Sequence, residues 1–309
     1  MSGKIAFCFP GQGALETGMG REVAEAYPEA MEIFELGSEA SGLDLRRLCF
    51  EAPLEELVET EVQQPALVAT SLAMLAALWK RGIKPDYVIG HSVGEFAALA
   101  SAKVIDAFET IQLVRERGLA MAEAARAHPG SMAAILGLED DAVERICRKI
   151  LGVWPANYNC PGQLVVSGEH AAVDECCAAA EAAGARRTVK LKVSGAFHSP
   201  LVARAAERLR PAVERVRFSE PVAPVMSTVT ARLESARRLA PLVVDQLTAP
   251  VRFTQAASAL IKDGANTFVE IGPGNVLSGL VKRIDRSVKA VSVNSVAALE
   301  KIEETLSTT

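Results

Sequence analysis

Short apolar runs and helix-forming stretches alternate along most of this chain, and that alternation restricts it to a parallel sheet covered by helices. Ile5 to Phe9 reads as a strand ending at Pro10, with helices expected over Pro28 to Ser41 and over Gln64 to Lys80, the latter stopped by Gly82. Tyr87 to Ile89 reads as a short strand and Glu95 to Ser101 as the start of a helix, and Asp106 is placed to N-cap a longer helix reaching Ala127. After His128-Pro129-Gly130 the order changes. Strands are expected at Met132–Leu136, Val153–Tyr158, Leu164–Ser167 and Arg187–Val193, with helices over Asp140–Leu151 and Ala171–Ala183. That is the β-α-β-β-α-β order of a ferredoxin-like unit. Coarse α/β alternation then resumes, with strands expected at Val222–Met226, Thr267–Ile271 and Val288–Val293. The expected architecture is α/β. A hydrolase-like domain with a central, mostly parallel sheet spans residues 1–128 and 194–309, and a ferredoxin-like α/β subdomain is inserted at 129–193.

Composition narrows the function classes. Half of the 309 residues are apolar and the formal net charge is -5, so a large core is available and disorder is not expected. A mildly acidic chain lacks the dense basic face that phosphate backbones require, which argues against nucleic acid. No stretch is expected to approach the roughly 20 apolar residues that cross a bilayer. Met1 to Pro10 lacks the length and cleavage pattern of a signal peptide and reads as a first strand. The six cysteines form no CxxC pair and fit reduced thiols in the cytoplasm. The four histidines stand far apart, so no metal site is expected.

Chemistry concentrates in Gly90-His91-Ser92-Val93-Gly94. A serine with glycines two residues to either side, after an apolar strand and before a helix, suits a strand-turn-helix elbow that holds a nucleophile in a strained conformation. A serine hydroxyl needs a base within hydrogen-bond reach. His91 adjoins it in sequence and should leave the turn in another direction, while His128 and His170 sit in polar connections. His198, in Ser194-Gly195-Ala196-Phe197-His198-Ser199-Pro200, lies where the insert rejoins the larger domain, and by elimination is the best base. Acyl transfer also needs N–H donors for a tetrahedral oxyanion. Val93 follows the nucleophile, and Gln12 sits between Gly11 and Gly13 after the first strand; the second loop equally suits an ordinary β-turn.

Together these motifs resemble the malonyl-CoA:acyl-carrier-protein transacylase family, discrete relatives of polyketide-synthase acyltransferase domains. The resemblance runs nearly end to end. It includes Phe9-Pro10-Gly11-Gln12-Gly13, Gln63-Gln64-Pro65-Ala66, Gly90 to Glu95, Arg117, Asn157-Tyr158-Asn159-Cys160-Pro161-Gly162-Gln163, Gly195 to Ser199, Gln246 before Pro250-Val251-Arg252-Phe253, and Glu270-Ile271-Gly272-Pro273-Gly274. It implies Ser92 as nucleophile, His198 as base, and the N–H groups of Gln12 and Val93 as oxyanion donors. It implies further that Arg117 holds the free malonyl carboxylate and that the main-chain carbonyl of Gln246 orients His198 in place of a triad acid. Helical periodicity alone cannot choose between Arg115 and Arg117, which occupy opposite edges of one apolar face; only the resemblance singles out Arg117. Phe197 accompanies malonyl units in the related domains, and His91 and Asn157 join it as substrate-contacting candidates. The implied reaction is a ping-pong transfer from malonyl-CoA to an acyl carrier protein, in fatty-acid or polyketide synthesis. CoA is a substrate in that reaction, no cofactor or metal is expected, and the enzyme is expected to work as a cytoplasmic monomer away from membranes. A serine hydrolase would share the elbow but would have no use for a carboxylate-reading arginine.

Overall fold

The computed structural model describes residues 3–307. Met1, Ser2, Thr308 and Thr309, at the ends of the range expected for the large domain, lie outside them. Ten strands are described, in chain order β1 (Lys4–Phe9), β2 (Tyr87–Gly90), β3 (Ser131–Leu136), β4 (Val153–Cys160), β5 (Gln163–Gly168), β6 (Arg187–Lys190), β7 (Val225–Ser227), β8 (Arg232–Glu234), β9 (Ala265–Ile271) and β10 (Lys289–Val293). Six form a central sheet in the order β10-β9-β1-β2-β7-β8, parallel except for β8, a three-residue edge strand too short to carry a sequence signal. The other four form an antiparallel sheet in the order β4-β5-β3-β6, with helices Asp140–Cys147 and His170–Ala182 as its crossovers, which is the ferredoxin-like arrangement.

The two-residue period of a strand places the cores. On β1, Phe7 and Phe9 point into the larger apolar core, while Ala6 and Cys8 point into the one on the opposite face, with Phe253 and Phe268. On β3, Ala133 and Ile135 face the small sheet's own helices, whereas Met132 and Ala134 join the larger core. The small unit therefore has its own interior yet packs its other face on the large one. A second tie comes from β4: Tyr158 N–H donates to the Val251 carbonyl at 2.8 Å, and Val251 N–H to that of Ala156 at 2.8 Å.

Three expectations are corrected. The helix expected from Gln64 begins at Thr60 and runs to Trp79, so Pro65 lies inside it. Proline has no N–H for the carbonyl four residues back, here that of Glu61, and Arg115 Nη1 donates to that oxygen at 2.5 Å instead. The same 20-residue helix is long and apolar enough, by length and composition, to cross a membrane, contrary to the sequence reading; most of it is buried inside the protein. Finally, β6 stops at Lys190 rather than Val193. Leu191 N–H still donates to Met132, but Val193 N–H turns back onto the Leu191 carbonyl at 3.1 Å, which ends the ladder.

Candidate active site

β2 delivers its last residue, Gly90, into the turn that holds Ser92 at φ 53°, a left-handed value rare outside glycine. The flanking glycines are dictated by space. A Cβ on Gly94 would lie 2.1 Å from the Phe9 carbonyl oxygen, and one on Gly90 would lie 2.2 Å from the Glu95 nitrogen. Within the turn, Gly94 N–H donates to the His91 carbonyl and Glu95 N–H to that of Ser92, each at 3.0 Å, as helix Gly94–Ser101 begins. His91 N–H donates to the Phe9 carbonyl at 3.0 Å and locks the turn to the end of β1.

His198 arrives from 106 residues downstream, and its Nε2 lies 2.8 Å from Ser92 Oγ. It too has a left-handed backbone, φ 58°. Its Nδ1 lies 2.9 Å from the Gln246 carbonyl oxygen and 3.2 Å from that of Ala249. Carbonyls only accept, so Nδ1 carries the proton and Nε2 presents a lone pair to the serine hydroxyl. Burial, and then the neighbouring Arg117 charge, hold this imidazole far below its usual range, at about 3, although the two carbonyls pull the other way. At neutral pH it is therefore an unprotonated imidazole.

Arg117 is fully buried on helix Ala107–Ala127. Its Nη1 donates to Gln64 Oε1 at 2.6 Å, and its Nη2 to Gln246 Oε1 at 2.9 Å and Ser92 Oγ at 3.2 Å, while its Nε has no protein partner among the described residues. Desolvation lowers its pKa to about 9, with the carboxylate of Glu95 opposing the drop. The two arginines that periodicity could not separate go to different places: Arg115 donates to the Glu61 carbonyl, and Arg117 reaches Ser92 Oγ.

A cavity of about 120 Å³ opens over Ser92. Gln12, His91, Asn157 and Phe197 line it, with Met132 and Val165 from the small sheet. Gln12 is braced by Gln63 through a side-chain contact of 2.5 Å, and His91 Nε2 lies 2.9 Å from Asn159 Oδ1. Among the described residues, the backbone N–H groups of Gln12 and Val93 have no protein acceptor. No group of histidine, cysteine, aspartate or glutamate with metal-holding geometry occurs among them either.

Three motif residues without an assigned role are placed by the structure: Gln64 and Glu95 join the hydrogen-bond network around Arg117, and Asn159 braces His91 at the cavity. The available signal for Glu95 was a lone charge in an otherwise apolar helix, Gly94–Ser101, where every residue is buried. Glu95 Oε2 accepts from Thr228 Oγ1 and from Gln246 Nε2, each at 2.9 Å, and Oε1 has no partner among the described residues. Burial raises its pKa, and these hydrogen bonds oppose the rise.

Comparison with known proteins gives a consistent neighbourhood. The family described as acyl transferase domain matches residues 6–307. The malonyl CoA-acyl carrier protein transacylase of Bacillus subtilis is 41% identical over 308 residues, covering 98% of this chain and 97% of that protein. The solved structure of the Coxiella burnetii malonyl CoA-acyl carrier protein transacylase superposes with TM-score 0.96 at 35% identity, covering 99% of this chain and 98% of that one. A structure of a malonyl-transacylase in complex with its type II polyketide-synthase acyl-carrier protein superposes with TM-score 0.95 at 38% identity, covering 98% and 99%.

Proposed function

Because this chain belongs to the acyl transferase domain family, we propose that it transfers a malonyl group from malonyl-CoA to the phosphopantetheine thiol of an acyl carrier protein, through a malonyl ester on Ser92. One observation carries the reading. The Ser92 hydroxyl lies 2.8 Å from an unprotonated imidazole on one side and 3.2 Å from a buried guanidinium on the other. A base next to a nucleophile performs acyl transfer; a guanidinium beside the same oxygen selects an acyl group with a free carboxylate.

In the first half-reaction Ser92 Oγ attacks the thioester carbon and its proton passes to His198 Nε2. The carbonyl oxygen gains the charge and takes the N–H groups of Gln12 and Val93. The C–S bond breaks, and the CoA sulfur leaves with the proton from His198. In the second half the carrier's thiol gives its proton to His198, its sulfur attacks the ester carbon, and Ser92 Oγ leaves with that proton. Atoms and charge balance without a metal or a redox group. Arg117 supplies orientation: a bidentate grip on the malonyl carboxylate fixes the thioester over Ser92. The phenyl ring of Phe197 on the cavity wall disfavours a methyl at C2, by roughly 1–3 kcal/mol.

We assign this work to a monomer in the cytoplasm. One chain supplies every residue of the described site, and all six cysteines are free thiols. The test is direct. Incubation with malonyl-CoA, proteolysis and mass spectrometry are expected to place one malonyl group on the Ser92 peptide, and adding phosphopantetheinylated carrier protein is expected to remove it onto the carrier. Label on another residue, or malonate released to water faster than the carrier is loaded, overturns the proposal.

A further inference from the structure

We propose that Glu95 is a positioning residue for malonyl recognition: it fixes the Gln246 amide in the orientation that Arg117 needs and supplies the negative charge behind that buried guanidinium. This rests on the reading of Arg117 as the group that holds the substrate carboxylate.

The argument is one of donors and acceptors. A carboxylate accepts and never donates; a guanidinium donates and never accepts. Gln246 stands between one of each, with its Nε2 at 2.9 Å from Glu95 Oε2 and its Oε1 at 2.9 Å from Arg117 Nη2. Only one of the two amide orientations satisfies both neighbours, so Glu95 decides which atom faces the arginine. The main chain of Gln246 meanwhile accepts from His198 Nδ1. One residue thus joins the carboxylate-reading group to the base, and Glu95 holds it from behind.

A purely structural role accounts poorly for the carboxylate. Glu95 has no exposed surface, and its Oε1 lacks a partner among the described residues. A glutamine could keep a contact with Thr228 without leaving a charged group short of hydrogen bonds, and an alanine would match the rest of that helix. What glutamine could not do is face Gln246 with acceptors alone, or offset a cation with no solvent around it. Among the described residues Arg117 hydrogen-bonds to the neutral groups of Gln64, Gln246 and Ser92, so Glu95 is the charge that answers it.

The experiment compares wild type, Glu95→Gln, Arg117→Ala and the double variant in single-turnover acylation by malonyl-CoA and by acetyl-CoA. Labelling of Ser92 by a neutral fluorophosphonate, which has no carboxylate, is measured in parallel. Glu95→Gln is expected to slow malonyl acylation about ten-fold more than it slows fluorophosphonate labelling, and to narrow the malonyl-to-acetyl preference by a similar factor. In the Arg117→Ala background the same substitution is expected to change malonyl acylation by less than about two-fold, because its route of action is gone. Thr228→Val, which loosens Glu95 but keeps its charge, is expected to give a smaller shift of the same sign, and it decides the matter if Glu95→Gln does not fold. Parallel losses with all three reagents, or an undiminished Glu95→Gln effect without Arg117, overturn the proposal. A wild-type enzyme that malonyl-CoA fails to acylate would instead overturn the function proposed above.

Discussion

The turn that holds Ser92 and the network that holds Arg117 meet where Arg117 Nη2 lies 3.2 Å from Ser92 Oγ, yet they are built in opposite ways. The turn is backbone: five consecutive residues, two glycines demanded by clashes, and hydrogen bonds among neighbouring main-chain groups. The network is side chain: Gln64, Glu95, Arg117, Thr228 and Gln246 come from five separate segments and share charge through amide and hydroxyl groups. A backbone device has no intermediate settings, because a misplaced Cβ cannot be accommodated by half. A side-chain network can lose a member and redistribute, at a cost set by the charge it leaves exposed.

The largest expected effect therefore lies in the turn. Gly94→Ala puts a methyl group where the Phe9 carbonyl oxygen now sits, so either β1 or the turn must move. Labelling of Ser92 by malonyl-CoA and by fluorophosphonate is expected to vanish together, with a stability loss of about 3 kcal/mol or more in urea unfolding. Ser92→Ala is the control: no chemistry, with unfolding close to wild type. If Gly94→Ala labels normally, the rigid-turn picture is wrong.

Arg117→Ala tests the other half. It removes the cation and leaves the buried Glu95 carboxylate, still held by Thr228 and Gln246, without a compensating charge, so a stability loss of about 3 kcal/mol is expected. Fluorophosphonate labelling is expected to survive in the folded fraction, because the Ser92–His198 contact does not pass through the guanidinium. Malonyl acylation should fall by about two orders of magnitude and the preference for malonyl-CoA over acetyl-CoA should largely disappear, in line with a charged hydrogen-bond partner lost from a dry site. Retained malonyl preference would move the carboxylate-reading role elsewhere.

Acid offers a measurement that touches both halves. Folded, His198 stays neutral to about pH 3; in the unfolded chain it takes up a proton near its ordinary value of about 6.5. Between those limits the unfolded state binds more protons, so stability is expected to fall as pH drops from about 6.5 toward 3, and this contribution is fully present above 6.5. The loss should amount to a few kcal/mol, at most about 1.4 per pH unit. Urea unfolding between pH 7 and 4 reads the slope. His198→Gln is expected to flatten it strongly and Arg117→Ala partially, since burial is the first cause of the depression and the arginine only the second. An unchanged slope in His198→Gln would show that other groups carry the acid sensitivity.

The same division explains what could be read from the sequence. Gly90 to Gly94 announces itself because its constraint is local: the residues that clash lie within a few positions or on the adjoining strand. The ferredoxin-like order is legible for the same reason, since each of its elements carries its own period. Val93 stands out as the residue after the nucleophile, whereas the loop of Gln12 reads equally as an ordinary β-turn and only the family resemblance pairs it with Val93. His198 was reached by elimination among four histidines, and Arg117 through family resemblance, because nothing in helical spacing records what lies 25 residues away in sequence and 3.2 Å in space. Glu95 and Gln64 had no assigned role, as the partners that give them meaning come from helices and loops that only folding brings together. The start of helix Thr60–Trp79 was misplaced because Pro65 is a stop signal unless a distant donor takes over the carbonyl it abandons.

That donor gives the smallest prediction and the sharpest control. Arg115 and Arg117 are two residues apart on one helix and carry the same side chain, but Arg115 is half-buried and donates to a backbone carbonyl, whereas Arg117 is fully buried and reaches Ser92 Oγ. Arg115→Ala removes one charged hydrogen bond from Glu61 at a place where water can substitute, so the expected loss in unfolding free energy is about 1 kcal/mol. Malonyl acylation, acetyl discrimination and the acid slope should all stay within about two-fold of wild type, because the hydrogen bond of Arg115 goes to the Glu61 carbonyl and not to the residues around Ser92. A large change in malonyl preference from Arg115→Ala would mean that the edge of this helix, rather than its buried arginine, reads the substrate. The distinction drawn between the two halves of the site would then have to be redrawn around Glu61 and Pro65.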